Sequence, residues 1–334
     1  MSRAPLRVAV LGAGTVGREV VRGLLDDAQW LTPSDGPPLM LAGVAVRDVD
    51  RARASGIPSG LLTDAPAHLV ASPETDVIVE LIGGEEPART LIAAALTAGK
   101  AVVTANKHVI AHHGPQLEAT ARQTGAALRF EAAVGGGIPV LGPLASDLAG
   151  NHLTAVRGIV NGTTNYILTA MTDEGRGYDE VLAAAQSAGY AEADPSGDVE
   201  GHDAVNKLVI LARLAFGVWL DRGSIVTARP GEKPGITGVT SGDLEAASKR
   251  GRAIRLVAAA SRTADGSIEA KVLPTECPLD SPLGQTHGVR NRIEIETDQL
   301  GWIGIEGPGA GGAATASAVL ADLVAIAAIP ARAA

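Results

Sequence analysis

Carboxylates and a lysine crowd one short segment near the middle of the chain. Five Asp or Glu residues fall within the twelve positions from Glu192 to Asp203, and Lys207 follows them. Asp203 and Lys207 are four residues apart, so on a helix they share one face. A charged pair at the start of an apolar helix costs desolvation energy. The pattern indicates either proton transfer by the lysine or a structural ion pair with acidic capping.

A second set of residues could bind a nucleotide. Gly12, Gly14 and Gly17 form a G-x-G-x-x-G motif between an apolar run and a helical pattern. The first glycine allows a tight turn, the second lets the backbone approach a pyrophosphate, and the third lets the helix pack close to the strand. The free N–H groups at the helix N-terminus favour a phosphate. The motif in this context predicts a dinucleotide site.

The charged residues after the second apolar run should decide which dinucleotide binds. Arg47 and Asp48 stand there, with two further arginines close behind. An acid at this point favours the ribose 2′-hydroxyl of NAD(H), whereas an arginine accommodates the 2′-phosphate of NADP(H). We predict a preference for NADP(H) over NAD(H), with solvated surface charges as the alternative interpretation.

Lys107 follows another apolar run, and three histidines lie within the next six positions. The carboxyl ends of strands in open α/β sheets are where ligands bind, although surface lysines are also common there. The spacing of His108 and His112 could suit zinc, but no third ligand is evident beyond the adjacent His113. We therefore predict a solvated loop or helix start at the histidines.

Alternating apolar runs and helical patterns should position these groups. The first third reads as strands at 6–11, 41–46, 77–82 and 101–104 with helices at 16–25 and 87–98. This alternation predicts a parallel sheet with helices on both faces. The middle reads as a strand at 153–160 ending in an Asn161-Gly162 turn, helices at 178–188 and 204–216, and later short strands. We predict an α/β protein: a Rossmann-like nucleotide-binding domain plus an α+β domain, for which the family resemblance given below implies substrate binding and dimerisation.

Composition excludes several classes of function. A length of 334 residues suggests about two domains. A net charge of −9 argues against nucleic acid, and no polybasic run marks a membrane surface. Cys277 is the only cysteine, which excludes a disulfide framework. The apolar run at 8–11 is too short for a signal peptide, and the alanine-rich segment 313–329 predicts a packed helix. We expect a soluble cytoplasmic protein.

Five segments in this order resemble homoserine dehydrogenase. The resemblance extends from about residue 5 to residue 328, and the Asn161-Gly-Thr-Thr-Asn165 motif and the acidic segment are its most specific parts. The segments are Gly12–Gly17, Val102–Lys107, Glu131–Pro139, Gly158–Ile167 and Gly189–Lys207. The resemblance implies reversible reduction of L-aspartate 4-semialdehyde to L-homoserine with NADPH or NADH, a step toward threonine, methionine and isoleucine.

The resemblance also assigns roles to residues. It implies that Lys207 gives a proton to the developing alkoxide, that Lys107 supports the reacting centre, and that Asp203 assists beside Lys207. The implied substrate-binding residues are Glu192, Asp198, Asp203 and Lys207. The implied cofactor-binding residues are Gly12, Ala13, Gly14, Thr15, Val16, Gly17, Arg47, Thr104, Lys107, Gly189, Glu192 and Gly309.

A cation, a subunit partner and a domain division are implied as well. Glu131, with the backbone carbonyls of Val134, Gly136 and Ile138, resembles the family's sodium site, and oxygen ligands suit a hard cation. The expected domains are 1–139 with 311–334 for the nucleotide, 150–257 for catalysis and substrate, and 140–149 with 258–310 for a sheet. That sheet pairs between subunits in the family, so we expect a homodimer. We also expect the short form of the enzyme, without a C-terminal ACT regulatory domain and its threonine feedback.

Three other functions fit parts of the sequence. Aspartate-semialdehyde dehydrogenase needs a cysteine nucleophile, and Cys277 has no positive neighbour in sequence to lower its pKa. L-Aspartate dehydrogenase, or another two-domain NAD(P)-dependent amino-acid or semialdehyde dehydrogenase, shares the nucleotide motif. A non-catalytic NADPH sensor is the third, but it would not need Glu192, Asp203 and Lys207 together.

Overall fold

The computed structural model describes residues 4–34 and 36–329. The chain forms two compact units, Met1–Gly137 with Ala310–Ala334, and Ile138–Gly309. The ends of the predicted nucleotide-binding domain, 1–3 and 330–334, lie outside the described residues. A parallel sheet occurs in the first unit and an antiparallel sheet in the second, so the predicted fold class is confirmed.

The first unit alternates strands and helices, as its sequence predicts. Its strands are β1 (Leu6–Leu11), β2 (Leu39–Ala45), β3 (Leu62–Thr63), β4 (Val77–Glu80), β5 (Ala101–Thr104) and β6 (Leu128–Arg129). Its helices up to this point are α1 (Thr15–Asp26), α2 (Val49–Ala54), α3 (Pro66–Ala71), α4 (Ala88–Thr97) and α5 (Lys107–Thr124). Sequence patterns did not predict β3, β6, α2 or α3, which are all short.

The strands of the first unit run parallel in the order β3-β2-β1-β4-β5-β6. The order reverses between β1 and β4, and ligands bind outside the carboxyl ends of strands at such a point. Glu80 at the end of β4 pairs with Leu11 of β1 and with Thr104 of β5. The glycine motif and Lys107 therefore follow the ends of β1 and β5, the two strands that flank β4.

The second unit combines helices with an antiparallel sheet. Its helices are α6 (Leu141–Ala145), α7 (Gly162–Glu174), α8 (Tyr178–Ser187), α9 (Ser196–Val199), α10 (His202–Phe216) and α11 (Ser241–Lys249). Its strands are β7 (Leu153–Ile159), β8 (Arg252–Arg262), β9 (Ile268–Pro278), β10 (Arg290–Thr297) and β11 (Gly301–Pro308). They pair antiparallel in the order β11-β10-β7-β8-β9.

Two local predictions for the second unit were wrong. Segment 140–149 does not join the sheet, because α6 forms there and buries Leu141 and Leu144. The three-residue spacing of those leucines is helical. Asn161-Gly162 is not an isolated turn, because the Asn161 side chain accepts a hydrogen bond from the Thr164 N–H (2.8 Å) and caps α7. Asparagine suits both turns and helix caps, so the pair alone did not distinguish them.

The last helix, α12 (Gly312–Ala327), belongs to the first unit and packs against α1. Its Val319 and Leu323 are buried in the same core as Val8 and Val10 of β1. This is the alanine-rich segment that the sequence predicts as a packed helix. No helix within the described residues is long and apolar enough to span a membrane.

Candidate active site

Asp203 and Lys207 form an ion pair in the first two turns of α10. The Lys207 ammonium donates to Asp203 Oδ2 (2.7 Å) and to the backbone carbonyl of Val160 (2.6 Å). Both side chains are largely buried, with 11% of the lysine and 9% of the aspartate exposed. The four-residue spacing thus places both groups on one face, as the sequence predicts.

Helix α10 holds this pair rigidly because it is apolar on nearly all sides. The four residues after the lysine, Leu208 to Leu211, are fully buried. Gly201 and Gly217 bound the helix with positive φ angles of 88° and 75°. A buried helix of this kind has little freedom to shift, so the position of the ammonium is fixed by packing.

Asn161 joins the ion pair to a second carboxylate. Its amide nitrogen donates to Asp198 Oδ1 (2.7 Å) and to Asp203 Oδ2 (2.9 Å). We call Asn161, Asp198, Asp203 and Lys207 the Asn161 cluster. The sequence analysis assigned no role to Asn161. The Asn161-Gly-Thr-Thr-Asn165 motif that begins with this residue was the feature that pointed to it. The cluster thus presents one ammonium and two carboxylates, which could bind the charged groups of a small amino acid.

The rest of that motif holds the surroundings of the cluster. Thr163 donates its hydroxyl to the carbonyl of Tyr190 (2.7 Å), which fixes the loop after α8. The amide nitrogen of Asn165 lies within hydrogen-bonding distance of three carbonyls, those of Thr286, Gly288 and Arg290 (3.2, 2.9 and 3.3 Å). The motif therefore fastens two loops to the N-terminus of α7.

The structure leaves Glu192 apart from the groups that Asn161 binds. Glu192 is exposed on the loop between α8 and α9, where its carbonyl accepts from the Gln186 amide (3.0 Å). Gly189 follows α8 with a φ of 76°, a left-handed conformation that favours glycine. Asp198, Asp203 and Lys207 thus come together, whereas Glu192 faces solvent on its loop.

A cavity of about 330 Å³ lies at the carboxyl ends of β1, β4 and β5 in the first unit. We call it the glycine-loop cavity. It is lined by Gly14, Thr15, Val16, Gly17, Glu80, Leu81, Gly83, Gly84, Ala105, Asn106, Lys107 and His108. Its position matches the point where the strand order reverses, which is where ligands of such sheets bind.

The three motif glycines have different surroundings, as their proposed roles require. A Cβ at Gly12, where φ is 100°, would lie 2.6 Å from the Leu81 carbonyl oxygen. A Cβ at Gly17 would lie 1.9 Å from the Gly12 oxygen, so this position allows close helix packing. Gly14 has no such neighbour within 4 Å, and α1 begins there without a side-chain cap. The open backbone and helix N-terminus fit a pyrophosphate.

Two charged residues after β2 have separate environments. Arg47 is exposed. The carboxylate of Asp48 accepts a hydrogen bond from the Arg51 N–H (2.9 Å) and caps α2. Asp48 therefore has a structural role that the sequence pattern did not reveal.

Lys107 begins α5 and lines the glycine-loop cavity. Asn106 caps this helix by accepting from the Val109 N–H (3.1 Å). Thr104 is fully buried and donates its hydroxyl to Glu80 Oε2 (2.6 Å). Hydrogen bonds thus fix Thr104 and Asn106 in place. Lys107 directly follows Asn106, so its position at the cavity is set as well.

The three histidines lie in the first two turns of α5, so of the two predicted possibilities, a loop or a helix start, the structure shows the helix start. His113 Nε2 lies 2.7 Å and His108 Nε2 lies 3.4 Å from the Glu85 carboxylate. Across the described part of the chain, no group of three or more His, Cys, Asp or Glu side chains is arranged to hold a metal ion.

The segment predicted to bind a cation begins at Glu131, which is buried. The Glu131 N–H donates to Asp322 Oδ2 (2.8 Å), and Asp322 lies on α12. Burial, with a smaller contribution from the Glu131 charge, raises the pKa of Asp322 to about 7. Val134 is extended and Gly136 has a φ of 60° in the first unit, while Ile138 begins the second unit. The sequence signalled Asp322 only as a lone acid in an alanine-rich helix.

Gly309 ends the second unit and lies directly on Asn291 of β10. A Cβ at Gly309 would lie 2.1 Å from Asn291 Cγ, and Asn291 is fully buried. This position therefore requires glycine.

Cys277 is buried in β9, and burial raises the pKa of its thiol. A thiol nucleophile needs the opposite, an accessible sulfur with a lowered pKa. The environment of Cys277 therefore disfavours the cysteine-dependent reaction of aspartate-semialdehyde dehydrogenase.

Comparisons with known proteins agree over most of the chain. Residues 12–131 match the family model for the NAD-binding domain of homoserine dehydrogenase, and residues 139–324 match the model for homoserine dehydrogenase. A homoserine dehydrogenase from Corynebacterium glutamicum is 44% identical over 321 residues, which are 95% of this chain and 71% of that protein.

Solved structures give the same result. A homoserine dehydrogenase from Thiobacillus denitrificans has a TM-score of 0.91 and 40% identity, covering 98% of this chain and 74% of that chain. A hyperthermophilic archaeal homoserine dehydrogenase mutant in complex with NADPH has a TM-score of 0.78 and 29% identity, covering 96% and 97%.

Proposed function

Because this chain belongs to the homoserine dehydrogenase family, we propose that its Asn161 cluster carries the proton transfer of the family's reaction. The chain is an oxidoreductase acting on CH–OH groups in amino-acid biosynthesis, and it interconverts L-aspartate 4-semialdehyde and L-homoserine. The observation that supports this assignment is the buried ammonium of Lys207, held by Asp203 and the Val160 carbonyl.

The glycine-loop cavity fits the nicotinamide cofactor that this reaction needs. The open backbone at Gly14 and the uncapped N-terminus of α1 suit its pyrophosphate. When bound, the cofactor supplies the hydride. The motif residues Gly12 to Gly17, together with Thr104, would hold it, and Lys107 is proposed to face its reacting end.

Lys207 then handles the proton. Within the described residues its ammonium makes two hydrogen bonds, so the third N–H is available to a substrate oxygen. As the aldehyde carbon gains a hydride, its oxygen becomes negative, and a neighbouring ammonium stabilises and protonates it. Asp203 keeps the ammonium in place. Asp198 and Glu192 are proposed to bind the substrate ammonium, with Glu192 also proposed near the cofactor.

We propose that NADP(H) is preferred over NAD(H). Arg47 is exposed at the end of β2, where an arginine accommodates a 2′-phosphate. Asp48, the group that would favour a 2′-hydroxyl, already caps α2. The archaeal relative solved in complex with NADPH is consistent with this preference.

The remaining assignments are proposals of the same kind. Glu131 and the carbonyls of Val134, Gly136 and Ile138 would hold a sodium ion, and Gly189 and Gly309 would approach the cofactor. A homodimer is supported by strand β11, an edge strand that carries the exposed Trp302. Cytoplasmic location stays a prediction from the sequence.

The test is the loss of NADPH absorbance with L-aspartate 4-semialdehyde, repeated with NADH, with homoserine identified as the product. Lys207→Met should lower turnover at least about 100-fold, the usual scale for a general acid, while NADPH binding by fluorescence stays unchanged. Lys249→Met, an exposed lysine of α11, is the matched control.

Two results would count against the proposal. Normal turnover in Lys207→Met would remove the proton-donor role. Wild-type protein that binds NADPH but turns over neither cofactor would instead favour another dehydrogenase or a sensor. The ratio of rates with NADPH and NADH tests the assignment of Arg47.

A further inference from the structure

Glu80 is a fully buried carboxylate that none of the assignments above uses. It ends β4 in the middle of the sheet, paired with Leu11 on one side and Thr104 on the other. Its exposed fraction is 0%, and the three preceding residues of β4 are apolar. Glutamate is almost never fully buried unless it is paired, so its presence here needs a reason.

Three donors satisfy this carboxylate, and two of them are backbone groups. Oε1 accepts from the N–H groups of Ile82 (2.8 Å) and Gly83 (3.2 Å), and Oε2 accepts from the Thr104 hydroxyl (2.6 Å). Hydrogen bonds to an ionised acceptor are about twice as strong as neutral ones. Glu80 therefore fixes the turn that follows its own strand and binds it to the end of β5.

The contacts continue from Thr104 back to the same turn. The Thr104 oxygen accepts from the Asn106 N–H (2.9 Å), and the Asn106 amide donates to the Gly84 carbonyl (2.7 Å). We call this closed set the Glu80 network: Glu80, the turn 82–84, Asn106 and Thr104. It connects the turn after β4 with the start of α5.

The Glu80 network supports one part of the glycine-loop cavity. Gly83, Gly84, Asn106 and Lys107 all line the cavity. The two glycines have φ angles of 78° and 69°, and a Cβ at either would meet no atom within 4 Å. No atom thus packs against the two glycines where a side chain would be. The conformation of their backbone depends instead on the hydrogen bonds with Glu80 and Asn106.

We propose that Glu80 is a positioning residue for the nicotinamide cofactor, because it sets the 82–84 turn and the start of α5 before the cofactor binds. The inference rests on the proposed cofactor site in this cavity. Ordering a loop during binding costs free energy, so a preformed wall raises affinity. An apolar residue could fill the same space but could not hold the turn.

The experiment measures NADPH affinity by the fluorescence of the bound cofactor. In Glu80→Gln, the amide oxygen can still accept from the turn, but the amide nitrogen cannot accept the Thr104 proton. We expect the dissociation constant for NADPH to rise about tenfold, or about 1.4 kcal/mol. KM for NADPH should rise more than kcat falls. Glu86→Gln is the matched control, since Glu86 is exposed on the same loop and bonds only locally.

The outcomes separate this inference from the proposed cofactor site. Wild-type protein that does not bind NADPH refutes the site itself. A Glu80→Gln variant with a lower melting temperature but wild-type affinity shows a purely structural role and overturns the inference, as does a variant that changes neither.

If Glu80→Gln does not fold, Asn106→Ser tests the same network. Serine can still cap α5 but loses the amide that donates to Gly84. Weaker NADPH binding then supports the positioning role, and unchanged binding refutes it.

Discussion

Replacing Asn161 by serine should damage substrate turnover in a protein that still folds. Asn161→Ser keeps a side-chain oxygen that can cap α7 at Thr164, because serine is a good N-cap residue. The shorter side chain cannot reach Asp198 and Asp203, which the Asn161 amide now contacts at 2.7 and 2.9 Å. The variant therefore isolates the two bonds to the carboxylates.

The size of the effect follows from those two bonds. Each is a hydrogen bond to a charged group, worth roughly 1.5 kcal/mol or more. Losing both costs about 3 kcal/mol if their full value is used to place Asp198 and Asp203 around substrate. At about 1.4 kcal/mol per factor of ten, kcat/KM for the semialdehyde should fall about 100-fold. Asn161→Ala removes the cap as well and should lose roughly a further 1 kcal/mol of stability.

The assay combines steady-state kinetics with urea denaturation and NADPH binding. Asn151→Ser, at a position in the turn before β7 and outside the Asn161 cluster, is the control. The expected Asn161→Ser protein still folds, although at a lower urea midpoint, binds NADPH normally and has a much lower kcat/KM. Wild-type kcat/KM in this variant would refute the argument that Asn161 orders the two carboxylates.

Further predictions concern the first unit. In sodium-free buffer, Asp322→Asn should reduce the pH dependence of unfolding. The Asp322 carboxyl has a pKa of about 7 in the folded protein and 3.8 in the unfolded chain, so its protonation favours the folded state. This stabilisation is complete below pH 3.8 and is lost as the pH rises through about 7. From about pH 5.5 to about pH 8.5, the free energy of unfolding of the variant, measured by urea titration, should rise by about 2 kcal/mol relative to that of the wild type. A difference between the two proteins that does not change with pH would contradict this. Gly14→Ala should fold and bind NADPH more weakly in fluorescence titrations, whereas Gly12→Ala should also lower the melting temperature because its Cβ meets a carbonyl oxygen at 2.6 Å. Leu323→Ala should cost about 2–5 kcal/mol in urea denaturation, since this α12 side chain is fully buried.

Local patterns predicted the parts of the fold that local physics determines. The strand, glycine motif and helix at the start of the chain follow from sequence spacing, as does the shared face of Asp203 and Lys207. Elements of two to six residues, such as β3 and α2, are too short to show a period. The sequence left a loop or a helix start open at the beginning of α5, and the helix continues through Pro115, a residue type that normally interrupts a helix.

The candidate site was predictable only where its residues lie near each other in sequence. Asn161 contacts carboxylates 37 and 42 positions away, and Glu80 meets Thr104 across 24 positions. No periodicity connects residues so far apart, and polar residues at strand ends are common. The resemblance assigned roles to Asp198 and Asp203. The structure added the uncharged side chain of Asn161, which donates a hydrogen bond to each of them.

The placement of α12 has a consequence for biosynthesis on the ribosome. The core of the first unit needs Val319 and Leu323 from the end of the chain as well as Val8 and Val10 from its beginning. The second unit is continuous in sequence and is synthesised before those late residues. The core of the first unit can thus be completed only after the whole second unit has been synthesised, and strand β1 lacks its packing partner α12 until then.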